Sequence, residues 1–270
     1  MNPSVTHCSK ARITGSAPAQ AQDDVLAVEE PLEIRVKGQS VAVTMRTPGH
    51  DEELATGFLV TEGIVTRPAQ IAQIEYCQQG EAARLQNILN VFLTPDTPFD
   101  TARLQRNFYA SSSCGICGKA SIESIHGHFP PVTSSVQITR EIVYSLPDKL
   151  RAAQNVFEQT GSLHAAGLFS RAGDLLVLRE DVGRHNAVDK VIGYAARSNL
   201  LPLDEHILFV SGRTSFEIIQ KALSAGIAVI AAVSGPSSLA VALAQESGQT
   251  LIGFLRGQTF NIYSGEERIV

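Results

Sequence analysis

The sequence has no long hydrophobic run. Its most apolar segment, 225–244, is broken by Gly226, Ser234, Gly235, Pro236, Ser237 and Ser238, whereas a membrane-spanning helix needs about 20 mostly apolar residues. The first 24 residues contain no apolar stretch of the kind that drives secretion, so no leader peptide is expected. No aromatic residue precedes Phe58, and 1–24 read as a disordered tail. Cysteine is scarce: Cys8, Cys77, Cys114 and Cys117 are too few for a disulfide framework in 270 residues. An excess of basic charge is also missing. Lys plus Arg number 22 against 27 for Asp plus Glu, a net charge of -5, which argues against a chain that binds nucleic-acid backbone. Neither a G-x-x-x-x-G-K-[ST] loop nor a G-x-G-x-x-G fingerprint occurs, so the P-loop and standard Rossmann readings lose support. These absences describe a cytoplasmic chain with neither a nucleic-acid nor a membrane partner.

What is present is a globular composition, 44% hydrophobic and 18% charged, long enough for roughly two domains. Residues 25–129 read as a small α+β unit: strands at 28–36, 41–45, 71–77 and 88–94 around a helix at 51–62, ending in a serine- and glycine-rich loop. Pro130-Pro131 marks a boundary. In 130–270, Pro147 can start a helix that Gly161 ends. Apolar strands at 175–178, 207–210 and 227–233 then alternate with helices at 187–197, 216–224 and 239–246, and strands at 251–255 and 260–263 close the pattern. Wholly apolar strands alternating with helices imply a largely parallel sheet covered on both faces.

Three constellations could carry chemistry. The first is Cys114-Gly115-Ile116-Cys117-Gly118-Lys119. Two thiols at this spacing can form a redox pair, half of a zinc site, or a nucleophile with its resolving partner. Lys119 would favour the thiolate, which is the reactive species. The second is His50-Asp51-Glu52, which with the later cysteines spells H-x-E…C-x-x-C, the outline of a zinc-dependent deaminase built on His50, Glu52, Cys114 and Cys117. Ser113 stands where that outline wants proline, and the plainer reading is the acidic first turn of a helix. The third is the set of turns that follow the three apolar strands. They hold Glu180, Asp181, Arg184 and His185, then Ser211, Arg213, Thr214 and Ser215, then Ser234, Ser237 and Ser238. Such turns gather at one edge of a parallel sheet, where helix N-termini suit phosphate and arginines can clamp it. Ordinary capping would explain one turn; three turns with two arginines and a histidine point to a nucleotide-like ligand. His164, flanked by small residues in 161–167, reads equally as a core residue or a ligand contact.

In order along the chain stand EEPLEI (29–34), MRTPGHDEELATGFLVTEGI (45–64), SSCGICGK (112–119), HAAG (164–167), EDVGRHNAVDK (180–190), SGRTSFEI (211–218) and GPSSLA (235–240). In these segments, covering nearly everything after the tail, the sequence resembles the formate dehydrogenase accessory sulfurtransferase family (FdhD). It differs from the usual pattern in Ser162, where glycine is common, and in Gly235, where alanine is. The resemblance implies a cytidine-deaminase-like mixed α/β sheet with flanking helices, preceded by the smaller α+β domain. It implies a sulfur carrier that takes sulfur from a cysteine desulfurase as a persulfide on Cys114, with Cys117 as its partner. The sulfur goes to the metal of a bis-molybdopterin guanine dinucleotide cofactor before that cofactor enters formate dehydrogenase. The cofactor is a bound ligand, and no permanent metal is implied. Its binding by the family would fall on Gly253, Phe254, Leu255, Arg256, Gly257 and Gln258, with Arg184, His185, Arg213 and Ser237 from the turns. A homodimer is implied as well.

Overall fold

The computed structural model describes residues 3–99 and 125–270. Its elements in order are β1 (Val5–Arg12), β2 (Gln20–Ala27), β3 (Glu30–Val36), β4 (Gln39–Arg46), α1 (Asp51–Thr61), β5 (Ile71–Tyr76), α2 (Gly80–Leu85) and β6 (Ile88–Leu93). After the undescribed stretch come α3 (Arg140–Ala153), α4 (Asn155–Thr160), β7 (His164–Phe169), β8 (Leu175–Asp181) and α5 (Arg184–Arg197). The chain continues through β9 (Ile207–Val210), α6 (Phe216–Ser224), β10 (Val229–Ala232), α7 (Ser238–Glu246), β11 (Thr250–Arg256) and β12 (Thr259–Ser264).

A six-stranded sheet runs in the order β12-β11-β10-β9-β7-β8. β9, β10 and β11 pair in parallel, while β12, β7 and β8 join by antiparallel ladders. The sheet is therefore mixed, not largely parallel as the strand–helix alternation suggested. The difference lies in HAAGLF, which becomes β7 and wedges between β9 and β8. Two reversals cancel, so β8 runs in the same direction as β9, β10 and β11. The turns after β8, β9 and β10 thus still gather at one edge. A second sheet, β4-β3-β6-β5, holds the smaller set of strands.

One hydrophobic cluster runs from the small sheet (Leu32, Ile34, Leu89, Val91) through α1 and α5 into the large sheet (Leu168, Leu208, Ile230, Leu251). The join is a direct helix–helix contact. A Cβ on Gly57 of α1 would lie 1.8 Å from the carbonyl oxygen of Asp189, and one on Gly193 of α5 would lie 1.8 Å from that of Glu53. The two helices cross antiparallel, backbone against backbone, with a glycine from each side. The opposite face of the large sheet is covered by α3, through Val143, Leu146 and Leu150.

Two expectations are corrected here. Residues 5–27 form an antiparallel hairpin, β1 with β2 in continuous register from Val5↔Ala27 to Arg12↔Gln20, instead of a disordered tail. It needs no aromatic anchor because its backbone groups satisfy one another. Its ends are fixed by hydrogen bonds from Ser4 Oγ to the Pro48 carbonyl (2.8 Å) and from the Val28 N–H to the Ser4 carbonyl (2.9 Å). β2 also packs on α4. Second, Pro147 lies inside α3 and does not begin it; the start is Arg140, with Thr139 as cap. Proline removes one helical hydrogen bond, and burial of Val143 and Leu146 before it and Leu150 after it keeps the helix whole.

Candidate functional site at the carboxyl edge of the large sheet

The turn from β8 into α5 is built on Asp181, which is wholly buried. Its Oδ1 accepts from the Gly183 N–H (2.8 Å) and Asn186 Nδ2 (2.9 Å). Its Oδ2 pairs with Lys190 Nζ at 2.6 Å and accepts from the Thr47 N–H (3.2 Å). Lys190 Nζ donates to the Thr47 carbonyl (2.9 Å), and Asn186 Nδ2 to the Met45 carbonyl (2.7 Å). A buried pair is tolerable when its remaining valences are filled in this way. The network locks 45–47 against the first turns of α5 and presents Arg184 and His185 at the sheet edge. The Arg184 Nε is buried and has no partner among the described residues.

His185 faces the next turn. Its Nε2 lies 3.0 Å from Ser215 Oγ and 3.0 Å from Glu217 Oε2. The hydrogen bond to His185 holds the Glu217 carboxyl below its ordinary range against the opposing effect of burial. Both partners meet the same ring nitrogen. A Ser–His–carboxylate relay needs them on opposite nitrogens, so this trio is not one. Arg213 is exposed on the same turn. Thr214 is buried, and its Oγ1 has no partner among the described residues. Its backbone bridges to Pro236, and its carbonyl accepts from the Ser237 N–H (3.0 Å). The Ser237 hydroxyl caps α7 by accepting from the Ala240 N–H (3.2 Å).

The end of β11 completes the edge. Phe254 has φ 54°, a conformation costly for a bulky side chain. It is held by its N–H to the Ser234 carbonyl (3.3 Å) and by its ring, which occupies the space where Gly235 would carry a Cβ, 2.6 Å away. Even so, Phe254 stays 43% exposed. Gly253 is packed against Tyr263, Pro236 and the Ser234 carbonyl. Arg256, Gly257 and Gln258 are exposed in the turn to β12. Leu255 is buried in the core under α3 and offers only its backbone. The structure therefore brings 253–258, Arg184, His185, Arg213 and Ser237 to one edge.

Sequence reasoning left His164 open and named Asp181 and Thr214 as members of the turns without giving either a separate role. His164 opens β7, a strand hidden by its lack of apolar–polar alternation. Thr214 is betrayed only by an orphaned hydroxyl, which no sequence displays. Cys114 and Cys117, with their loop, lie outside the described residues. Of the deaminase outline, Glu52 pairs with Arg197 (2.6 Å) and His50 Nδ1 stands 3.6 Å from Glu53 Oε2. Glu53 itself is gripped by Arg179 through two hydrogen bonds, 2.5 and 2.7 Å. Burial and the nearby Arg179 hold the His50 imidazole below its ordinary value. Among the described residues no group of three or more His, Cys, Asp or Glu is arranged to hold a metal ion. Among them, too, no helix is long and apolar enough to cross a membrane.

Comparison with known proteins gives this edge its context. The model of the FdhD/NarQ family matches residues 27–270. The sulfur carrier protein FdhD of Streptomyces avermitilis is 51% identical over 255 residues, covering 91% of this chain and 89% of that protein. The protein of the same name from Mycolicibacterium paratuberculosis is 51% identical over 267 residues, covering 97% and 98%. A solved structure from Desulfotalea psychrophila, named for a formate dehydrogenase accessory role, superposes with a TM-score of 0.79 at 26% identity, over 99% of this chain and 100% of that one. The match extends across both sheets and every turn of the edge, and the chain belongs to the FdhD/NarQ family.

Proposed function

We propose that this protein is a sulfur carrier required for formate dehydrogenase activity, and that the carboxyl edge of its large sheet seats a guanine-nucleotide arm of the molybdenum cofactor that receives the sulfur. One observation carries the reading of the seat. An exposed aromatic ring, Phe254, is held in a strained backbone on the same sheet edge as two buried polar atoms, Arg184 Nε and Thr214 Oγ1, that have no partner among the described residues. Strain and unmade hydrogen bonds of this kind are retained where a ligand compensates them. A guanine base offers a flat face to stack on Phe254, and its phosphates offer acceptors to Arg184, Arg213 and the N-termini of α5 and α6. The cofactor is cargo here, not a resident group.

The chemistry assigned to Cys114 is thiolate attack on the sulfane sulfur of a desulfurase persulfide. One S–S bond forms on Cys114 as another breaks, and the desulfurase leaves as its thiolate. The carried sulfur is at the zero oxidation level, and its release as sulfide takes two electrons. Formation of a Cys114–Cys117 disulfide supplies them: the Cys117 thiolate attacks the Cys114 sulfur, the new S–S bond replaces the persulfide bond, and hydrosulfide departs. Free thiols of this reactivity suit a reducing, cytoplasmic setting. The reading brings with it a cytidine-deaminase-like sheet and a homodimer as the working form. The partners are a cysteine desulfurase on one side and formate dehydrogenase on the other.

The test is intact mass after incubation with a cysteine desulfurase and cysteine. A reducible gain of one sulfur atom is expected, lost in Cys114→Ala. A chain that gains no sulfur, or gains it equally without Cys114, overturns the reading.

A further inference from the structure

His164 has no part in the seat as described, yet it stands inside it. Its ring lies against the turn after β9: a Cβ on Gly212 would come 3.3 Å from His164 Nδ1 and 4.0 Å from Arg184 Cδ. The same ring lines a cleft of about 540 Å³ together with Arg151, Phe157, Ser162 and Ser211. The cleft and the phosphate-suited turns therefore meet at His164 and Ser211.

Its surroundings are cationic. Arg184 and His185 face it from α5, Arg151 enters the cleft from α3 with its guanidinium 4.5 Å over the Phe157 ring, and Arg213 is exposed on the adjoining turn. The neighbouring carboxylates are engaged elsewhere. Asp181, opposite His164 in the β7–β8 ladder, is consumed by Lys190, Thr47, Gly183 and Asn186. Glu180 accepts the N–H groups of Val156 (2.9 Å) and Phe157 (2.7 Å). Glu217 belongs to His185. Burial first, then Arg184 and His185, hold the His164 imidazole below its ordinary value. In the empty protein near neutral pH the ring is neutral, and an anion placed beside it restores the proton.

We propose that His164 is a ligand-contacting residue of the seat, and that it takes up a proton when the phosphates of a guanine nucleotide enter between the cleft and the β9–α6 turn. The inference rests on the nucleotide-seat reading and assigns to that seat a proton-linked contact. Linkage fixes the sign: binding that takes up a proton tightens as pH falls from above the bound-state value towards the free-state value.

The experiment is calorimetric titration of the full chain with GDP at about pH 7, close to where imidazole titrates, in two buffers of different ionisation enthalpy. The difference in heat counts protons. The wild-type chain is expected to take up a fraction of a proton per GDP, and His164→Asn to take up much less and bind about tenfold more weakly, the order of one charge-assisted contact. If GDP binds the wild-type chain without proton uptake, or His164→Asn takes up as much as the wild type, the assignment of His164 is overturned while the seat stands. If the wild-type chain does not bind GDP, the seat itself fails, and the inference with it. Should His164→Asn not fold, titration of the His164 ring by NMR in the wild-type chain decides instead. Its midpoint must rise when GDP is added; an unchanged midpoint overturns the proposal.

Discussion

Substituting Gly57 by alanine tests whether the small sheet and the large sheet are joined backbone to backbone. In an isolated helix the change would be favourable by about 1 kcal/mol, because glycine is the poorer helix former. Here the new methyl would stand 1.8 Å from the Asp189 carbonyl oxygen, and 3.4 Å is the lower limit of ordinary contact. The helices must retreat by about 1.6 Å, and no rotamer change can absorb that, since both parties are backbone-fixed. Ordinary overpacking costs about 1–3 kcal/mol, with larger values where nothing can yield. Retreat also strains the bonds that cross the same junction, Lys221 Nζ to Asp189 Oδ2 (2.9 Å) and to Thr61 Oγ1 (3.0 Å). A net loss of about 3 kcal/mol is expected after the propensity gain, which for a chain of this length is a fall in Tm of about 6–12 °C. Thermal and urea denaturation read it. Gly193→Ala should behave alike, and the double variant should cost less than the sum, because one displacement serves both. A Gly57→Ala chain as stable as the wild type would refute the contact and the antiparallel crossing drawn from it.

Further outcomes follow from the same geometry. Lys221→Met leaves Asp189 buried without its partner and should cost about 3–5 kcal/mol, while Lys221→Met with Asp189→Leu should recover much of it; urea midpoints decide, and a double variant no better than the single one counts against the pairing. Phe254→Ala should leave Tm nearly unchanged and weaken GDP binding about tenfold, because stacking on an aromatic ring contributes about 1–3 kcal/mol; unchanged affinity would remove Phe254 from the seat. Stability should fall as pH drops from about 7 towards 5. Burial holds the imidazoles of His50, His164 and His206 below the ordinary 6.5. The unfolded chain therefore binds protons in that window that the folded chain does not. Denaturation midpoints that are flat between those pH values would contradict it.

The sequence was most legible where one signal acted alone. Strand 207–210 and helix 216–224 coincide with β9 and α6, since an apolar run of four bounded by turn residues has few other uses. It was least legible where tertiary partners overrule local preference. His164–Phe169 carries no strand alternation, being buried on both sides, and its insertion between β9 and β8 breaks the parallel pattern inside the sheet. The hairpin of β1 and β2 is polar, and only its ladder and its ties to Pro48 and α4 order it. At the site, arginine and histidine at turn positions were readable, because the chemistry of the residue type and its place after a strand agree. The seat's orphaned atoms were not: whether Thr214 Oγ1 finds a partner depends on residues brought in from other strands.

The two polar segments that look most catalytic in the sequence, 45–53 and 180–190, spend most of their charge on framework pairs, within themselves or with Glu30, Arg179, Arg197 and Lys221. Arg46 pairs with Asp51, and Asp51 also accepts from Tyr76, which burial and that carboxylate keep protonated well above the usual phenol range. Lys190 pairs with Asp181, Asn186 spans Met45 and Asp181, and Glu53 pairs with Arg179. Each buried charge is costly to place and more costly to strand, so these contacts fix one arrangement of β4, α1 and the start of α5. Only Arg184 and His185 are left facing the sheet edge, one with an unused donor and one shared with Ser215 and Glu217. A ligand at the edge therefore meets groups whose positions are set from behind by buried ion pairs. The density of charged residues in those segments reflects how rigidly this edge of the sheet is held.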